Sequence, residues 1–419
     1  MTPRHVAFTV HLGGKSAVGL FALCLVAFVV ETQLTQYVQS NLGFRRPFFI
    51  FYVVHSAFML MLPMHFVYLA LFAKESPRAL WAGLMFALKE HLSLPSNDVS
   101  TPRPALSSTF PTWRFWRLLS FLTAGMTVPS LLWFSAVSLA PVTDVTALWN
   151  ANAFFAYLLS VKLFGLKWDA LRLAAVVLAT LGALAVVYGG TTSSEPSKTS
   201  PEISGSGVQF ESRAADKGPS APLVGDLLTL MGSILYAAYQ VLYKIYATLP
   251  FDPEVQADNM YSQIHPYDDI ASDDDEPSGE APLAEVDMVY PPPFGLFPNL
   301  LTSSIGIATF LVLWIPMPIL HYLGISTFEL PTSSLTILVI AGIALSGVIF
   351  NGGFMILLGV WGPIVTSVGN LLTIVLVFLS DIIFGGAVKT ITAWSLLGSA
   401  SIVTAFGVLA YDMTKERRF

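Results

Sequence analysis

Polar residues at helical spacing inside apolar runs are the groups of this sequence that could recognise a solute. Six of them are separated by 3, 4, 3, 4 and 4 positions: Asp226, Thr229, Ser233, Tyr236, Gln240 and Lys244. At about 100° per residue, this spacing places them on one face of a helix. Because unpaired polar groups are costly in hydrocarbon, such a face must meet protein or a wet cavity. The stripe therefore predicts the lining of a polar pathway.

Two further amides stand at similar places in two other apolar runs. Asn150 follows Pro141 by nine residues and Asn370 follows Pro363 by seven, so each is about 10 to 14 Å along its helix, near the middle of a ~30 Å bilayer core. Amides both donate and accept hydrogen bonds, which suits a neutral or zwitterionic solute. The predicted binding residues are Gln33, Gln36, Tyr37, Asn150, Tyr236, Gln240, Asn370 and Thr373. The alternative is that these amides only bond neighbouring helices to one another.

Ionisable groups inside apolar runs could couple transport to protons or to substrate charge. Glu31 and Asp381 lie deepest in such runs and are the predicted coupling residues. A catalytic set is not recognisable, and the single cysteine excludes a cysteine-based metal site. Gly14-Lys15-Ser16 is not a phosphate-binding loop, because Thr9 stands where that motif needs glycine. We expect no enzyme activity, no cofactor and no metal.

The elements that position these residues are predicted to be ten membrane-spanning helices. Of the 419 residues, 54% are hydrophobic and 11% are charged, which is far too apolar for a soluble domain. A bilayer core needs about 20 apolar residues per helix. That length is met at Ser16–Val38, Phe48–Phe72, Phe115–Val137, Val142–Leu163, Ala170–Tyr188, Leu223–Tyr246, Asn299–Leu320, Leu335–Leu358, Pro363–Phe384 and Ile391–Tyr411. The predicted class is an all-α integral membrane protein.

Three polar connections, at 74–114, 191–222 and 247–298, are predicted to be flexible linkers because they are rich in Ser, Pro and acidic residues. The last one holds 12 of the 27 acidic residues and no Lys or Arg between Asp252 and Asp287. Ten spans place the two termini on one side of the membrane. That side collects 15 of the 21 Lys and Arg residues, so the positive-inside rule predicts that both termini are cytoplasmic.

The two halves of the chain carry a similar order of residues. Pro141 begins an apolar run that ends at Phe164-Gly165 and is followed by Trp168, and Pro363 begins one that ends at Phe384-Gly385 and is followed by Trp394. Five spans in each half make the repeats inverted, as in many secondary transporters. The predicted organisation is a first five-helix half at 1–190, a polar linker at 191–222, and a second half at 223–419 with a disordered acidic loop at 247–298.

Several stretches resemble the drug/metabolite transporter (EamA-like) superfamily, and within it the F-type branch of solute carrier family 35 and its fungal relatives. They include Glu31-Thr-Gln-Leu-Thr-Gln-Tyr-Val, Ser138-Leu-Ala-Pro-Val-Thr-Asp-Val-Thr and Tyr236-Ala-Ala-Tyr-Gln-Val-Leu-Tyr-Lys. The resemblance implies a ten-helix inverted repeat that carries small polar metabolites without ATP. A glutamate that many members have in the turn after the fourth and ninth helices is missing here, so no role is transferred to it.

These observations predict a secondary carrier of a small polar metabolite that works by alternating access. The resemblance implies an intracellular membrane of the vacuole, Golgi or endoplasmic reticulum. The expected partners are the metabolite and the lipid bilayer, nucleic acid is not expected, and a homodimer stays open. The rival interpretation is a non-transporting scaffold or regulatory protein that acts through its cytoplasmic acidic loop.

Overall fold

The structure, a computed structural model, is all-helical in the residues it describes. These are 14–44, 46–93, 110–137, 139–140, 142–189, 222–249, 289–324, 328–384 and 392–416. Eight helices in these ranges are long and apolar enough to cross a membrane. The chain is therefore an all-α protein with the helices of a multi-pass membrane protein.

Fourteen α-helices are described in these ranges. Up to residue 189 they are α1 (Gly14–Ser40), α2 (Pro47–Ala57), α3 (Met61–Tyr68), α4 (Pro77–Ser93), α5 (Thr112–Val137), α6 (Val142–Asn150), α7 (Asn152–Phe164) and α8 (Ala170–Gly189). From residue 222 onward they are α9 (Pro222–Tyr246), α10 (Leu296–Val312), α11 (Pro316–Tyr322), α12 (Ser334–Asn370), α13 (Leu372–Phe384) and α14 (Ala393–Glu416).

The difference between eight candidate spans and the ten predicted ones arises at two places. The predicted span at 142–163 is divided into α6 and α7, each too short to be counted alone. The predicted spans at 335–358 and 363–384 fall in one apolar stretch, Ser334–Ser380. This stretch contains a backbone kink at Gly362, where φ is 75° and ψ is 173°. The helix lengths by themselves do not confirm ten spans.

Residues 77–93 form a helix, so the prediction of a flexible linker over 74–114 is wrong for this part. In α4, Leu80, Leu84, Leu88 and Leu92 recur every four residues and are all buried. Their apolar face packs on the core that includes Leu296 and other residues of the bundle. The helix is amphipathic and shorter than a bilayer needs, so a search for long apolar runs does not detect it.

The predicted acidic loop is also shorter than expected at its C-terminal end. Residues 289–298 are described, and α10 begins at Leu296, before the predicted start at Asn299. Residues 250–288 of this loop, and 191–221 of the predicted linker, lie outside the described residues. The prediction of disorder is therefore not examined by the structure.

Close helix contacts depend on small residues. A Cβ on Gly182 of α8 would lie 2.7 Å from the Gly398 carbonyl oxygen of α14, and one on Gly398 would lie 2.5 Å from the Gly182 oxygen. Arg172, ten residues before Gly182, donates from Nε to Oδ2 of Asp412, fourteen residues after Gly398, at 2.7 Å. Because Arg172 precedes Gly182 while Asp412 follows Gly398, the two helices are antiparallel. Because both contact positions are glycine, the backbones of α8 and α14 touch without side chains between them.

The helices α1 and α12 also pack antiparallel through small residues. A Cβ on Gly353 would lie 2.2 Å from Cys24 Sγ, one on Gly347 would lie 3.1 Å from Glu31 Oε1, and one on Gly342 would lie 3.0 Å from Leu34. Higher numbers on α1 thus meet lower numbers on α12. These contacts set the height of every polar residue of α1 relative to α12.

Candidate functional site

The polar face of α9 lies inside the bundle, where it contacts the region around Asn150. Thr229 and Ser233 are fully buried. Ser233 Oγ donates to the Trp149 carbonyl oxygen at 3.3 Å. The rings of Trp149 and Tyr236 stack, with centroids 5.3 Å apart and planes inclined by 25°. The predicted stripe therefore packs against the end of α6.

One helical turn further along the same face, Gln240 contacts the second region that carries a predicted amide. Ser367 Oγ donates a hydrogen bond to Gln240 Oε1. The Gln240 side chain is 1% exposed, and its Nε2 makes no hydrogen bond of ordinary geometry among the described residues, although the amide interacts with the Tyr236 hydroxyl one turn away. A buried donor without a well-formed hydrogen bond costs about 1–3 kcal/mol, so this amide is a candidate to bind a ligand.

The α-helical hydrogen bonding of the helix that carries Asn150 is interrupted directly after this residue, although Ala151 keeps helical backbone angles (φ −64°, ψ −9°). The N–H of Ala151 donates to the Leu148 oxygen at 3.2 Å, and the N–H of Phe154 donates to the Ala151 oxygen at 3.0 Å. These bonds span three residues, so the turn is tighter than an α-helical turn. Asn150 is 8% exposed, and its Nδ2 donates to the Thr146 oxygen at 2.9 Å. Its amide nitrogen is thus bonded within its own helix.

The helix that carries Asn370 is interrupted in the same way. The N–H of Leu371 donates to the Val368 oxygen, and the N–H of Ile374 donates to the Leu371 oxygen, both at 3.1 Å. Thr373 Oγ1 donates to the Asn370 carbonyl at 2.5 Å. Asn370 Oδ1 is buried and has no hydrogen-bond partner in the described part of the chain. Each interruption is therefore one tight turn directly after an asparagine, and at Leu371 too the backbone keeps helical angles (φ −65°, ψ −20°).

Lys244, the last residue of the stripe, caps the kink of α12. Its Nζ donates to the Gly359 carbonyl oxygen. In an uninterrupted helix that oxygen would accept from the residue four positions on, but Pro363 has no N–H. Positive charge is also favourable at the carbonyl end of a helix. Lys244 therefore stabilises the corner, which we define as residues 359–363.

The predicted residues of α1 lie at a different height from Asn370. Gly369 lies next to the ring of Phe21, whose nearest atom would be 3.1 Å from a Cβ at that glycine. Glu31 follows Phe21 by ten residues, which is about 15 Å along a helix. Gln33 is half-buried and Tyr37 is 39% exposed. The structure thus joins Tyr236 to Trp149, beside Asn150, and joins Gln240 to Ser367, one turn before Asn370. We call Asn150, Tyr236, Gln240, Asn370 and Thr373 the amide site. The binding roles of Gln33 and Tyr37 stay predictions.

Of the two predicted coupling residues, only Glu31 has a described side chain. Its Oε2 is buried without a hydrogen-bond partner among the described residues, and its Oε1 faces Gly347. The side chains of Asp381 and of the predicted binding residue Gln36 lie outside the described part. Their roles stay predictions.

Sequence reasoning missed two residues that contact the amide site. Trp149 supplies a ring to Tyr236, and Ser367 supplies a hydroxyl to Gln240. Ser367 precedes Asn370 by three residues and Trp149 is adjacent to Asn150. An inspection of the residues next to the two asparagines on their helices would therefore have included both. A tryptophan and a serine in apolar runs are too common to be singled out without the contacts.

Two surface pockets lie away from the amide site. One is lined at one end of the bundle by Arg172, Asp412, Ser160 and the corner. The other is lined by Phe48, Phe49 and the ion pair of Arg46 with Glu329, whose atoms are 2.6 Å apart. Within the described residues there is no group of three or more His, Cys, Asp or Glu that could hold a metal ion.

The fold is that of an all-α multi-pass membrane protein, and comparison with known proteins extends this only to the overall topology. No protein-family model matches the chain, and no curated protein matches it. Twenty-seven chains of solved structures do match. One of them, described only as a crystal structure of a protein, has a TM-score of 0.55 at 11% identity over 96% of this chain and 98% of that one. At this identity the match shows a shared fold alone.

Proposed function

We propose that the protein is a secondary carrier that moves a small polar metabolite across an intracellular membrane by alternating access of two five-helix halves. The observation that carries the proposal is the pair of matched helix interruptions after Asn150 and Asn370. Secondary transporters of this kind bind solute near the midplane, at the interface of two inverted repeats. The buried polar face of α9 contacts both interrupted helices, through Trp149 and through Ser367.

The proposed topology has ten spans. A continuous helix of the 47 residues from Ser334 to Ser380 would be about 70 Å long, more than twice a bilayer core, so the chain turns back at the Gly362 kink. The helices α6 and α7 together make another span. Exposed aromatic residues at the ends of these helices support the ten spans, because aromatic side chains are enriched at membrane interfaces. These are Tyr37, Phe72, Trp113, Trp168, Tyr188, Tyr246, Tyr322, Trp394 and Tyr411.

The proposed inverted repeat rests on two kinds of correspondence. The interruptions at Ala151 and Leu371 lie ten and eight residues after Pro141 and Pro363. The reciprocal contact of Gly182 with Gly398 is what a two-fold axis between α8 and α14 would produce. We therefore assign the chain to the drug/metabolite transporter superfamily as a proposal, with both termini cytoplasmic.

A rival function has one observation in its favour. The Asn150 amide nitrogen is bonded to Thr146 in its own helix, and the rings of Trp149 and Tyr236 fill the space beside it. A scaffold that acts through its acidic loop would need only such packing. The buried Asn370 Oδ1 weighs on the side of a carrier, because it has no hydrogen-bond partner among the described residues.

The test is an untargeted uptake screen, in which liposomes that contain the purified protein are incubated with a metabolite mixture. A carrier accumulates or exchanges at least one small polar compound over empty liposomes. The matched control is the Gln240→Leu variant, which keeps a similar volume and removes the amide. Uptake that is equal in wild-type, Gln240→Leu and empty liposomes would remove the carrier function.

A further inference from the structure

The segment that leads into α10 is fastened to the outside of α4. The N–H of Val289 donates to the Ala79 carbonyl oxygen at 3.1 Å. Tyr290 Oη donates to Glu90 Oε2 at 2.5 Å. The Tyr290 ring also meets Phe86 edge-on, with centroids 5.0 Å apart. Residues 289–294, which we call the strap, therefore lie across α4 and are held there at two points.

Gly83 is the reason that the strap can lie so close to α4. A Cβ at this position would be 1.9 Å from the Val289 carbonyl oxygen, a distance that no side chain permits. In the middle of a helix, glycine costs about 1 kcal/mol relative to alanine. The close approach of the strap is the structural feature that this glycine makes feasible.

The other end of the acidic stretch is held by the same helix. His91 Nε2 lies 2.8 Å from the Tyr246 carbonyl oxygen, and its ring meets Phe297 edge-on. Burial lowers the pKa of His91, so the ring is neutral and Nε2 carries the proton that it donates. The helix α4 thus fastens the chain on both sides of residues 250–288.

The strap ends on the corner of α12. Phe294 packs with the cluster that contains Leu357, Trp361 and Val365. On the other side of the acidic stretch, Thr248 lies against Gly359, 3.6 Å from its Cβ position. Ser367, the partner of Gln240, is four residues beyond Pro363 and so about 6 Å deeper along the helix. The strap and the corner therefore share one apolar cluster at this end of the protein, on the same helix as Ser367.

We propose that the strap is a latch that closes this end of the protein over the corner and lifts off α4 when the amide site opens to that side. The contacts of Val289 with Ala79 and of Tyr290 with Glu90 hold the latch shut, and Gly83 provides its seat. The purpose of the latch rests on the proposed carrier function, but its opening is measurable without a substrate.

The test uses a single reporter cysteine at the corner, Val360→Cys, in a Cys24→Ala background, with the purified protein in nanodiscs. Val360 packs against the same apolar cluster as Phe294 of the strap. The labelling rate with a membrane-impermeant maleimide measures how often the corner is uncovered. Gly83→Ala, whose Cβ would clash with the Val289 oxygen, should raise this rate about 10-fold. The pair Glu90→Gln with Tyr290→Phe removes one charge-assisted hydrogen bond from the closed state and should also raise it about 10-fold. The control Gly19→Ala, at a glycine with nothing within 4 Å of its Cβ position, should leave the rate unchanged.

A reversible lock completes the experiment. Ala79 and Val289 share a backbone hydrogen bond, so cysteines there are within the ~4.4–6.8 Å Cα separation that a disulfide requires. Oxidation of Ala79→Cys with Val289→Cys should slow labelling of the reporter at least 10-fold, and reduction should restore it. Equal rates before and after oxidation, or equal rates in Gly83→Ala and Gly19→Ala, would overturn the latch while leaving the uptake screen, and the carrier function, untouched.

Discussion

At the scale of single residues, the amide site combines bonded and unbonded polar atoms. Ser367 donates to Gln240 Oε1, the Tyr236 hydroxyl interacts with the same amide, and Asn370 Oδ1 is buried without a partner among the described residues. Buried polar atoms are nearly always paired, so Asn370 Oδ1 is where the proposed solute would supply a missing hydrogen bond. Asn150 differs, because its amide nitrogen already bonds Thr146.

This difference predicts how leucine substitutions will separate binding from folding. Gln240→Leu and Asn370→Leu should weaken solute binding about 5- to 150-fold, since each leaves a solute group unpaired at a cost of about 1–3 kcal/mol. Asn150→Leu should also weaken binding if its oxygen faces the solute. Isothermal binding measurements and thermal unfolding on the same three variants provide the comparison. Near-native affinity in all three variants would end the assignment of the amide site.

At the scale of helices, packing depends on backbone contact between small residues. The crossing of α8 and α14 brings Gly182 and Gly398 together, with the Arg172–Asp412 ion pair nearer one end. Close backbone approach at small residues is the main source of helix association where water supplies no hydrophobic force. The crossing therefore contributes to stability, and in a carrier it would hold the outer helices while others move.

Alanine substitutions at two glycines of α14 test the importance of this crossing. Gly398→Ala places a Cβ 2.5 Å from the Gly182 oxygen, so we expect a loss of about 1–3 kcal/mol in the free energy of unfolding. Gly407→Ala on the same helix meets nothing within 4 Å and should gain up to about 1 kcal/mol from helix propensity. Thermal unfolding in one detergent gives both values. Equal shifts of Tm in the two variants would show that the crossing adjusts without cost.

At the scale of the whole molecule, the question is how the chain is threaded through the membrane. A division of α12 at Gly362 and a joining of α6 with α7 convert eight candidate helices into the ten proposed spans. An even number of spans returns the C-terminus to the side of the N-terminus. Under the proposed topology, the positive-inside rule predicts that the side with more Lys and Arg is cytoplasmic.

Cysteine labelling tests this threading. In a Cys24→Ala background, Ser193→Cys and Asp274→Cys should react with an impermeant reagent from opposite sides of sealed vesicles, because the sixth proposed span separates them. Selective permeabilisation of one side serves as the control for access. Labelling of both positions from the same side would remove the ten-span topology.

The acidic stretch gives a second prediction at this scale. Deletion of residues 255–284 should leave transport of the solute from the uptake screen unchanged, since the fastening points at Tyr246 and Val289 are retained. Initial uptake rates of the wild-type and shortened proteins, normalised to protein in the membrane, provide the measurement. A complete loss of uptake by a normally folded, correctly located protein would assign this stretch a direct role in transport.

How much was predictable depends on whether a feature is local. The stripe from Asp226 to Gln240 follows from helical spacing, and the buried face of α9 agrees with it. The grouping of Tyr236 with Trp149 and of Gln240 with Ser367 depends on contacts between distant parts of the chain, which spacing cannot supply. For the same reason spacing could not place Gln33 and Tyr37 relative to Asn370, and their binding roles stay predictions.

By itself, the sequence determined that the chain is an all-α membrane protein, because apolar runs of span length can satisfy their backbone groups in lipid only as helices. Only the tertiary structure decided where those helices break, which small residues let them touch, and that residues 77–93 form a packed amphipathic helix to which the strap is fastened. Helix formation in a membrane is a local consequence of backbone hydrogen bonding, whereas breaks and fastenings depend on the partner that each segment meets after the chain has folded.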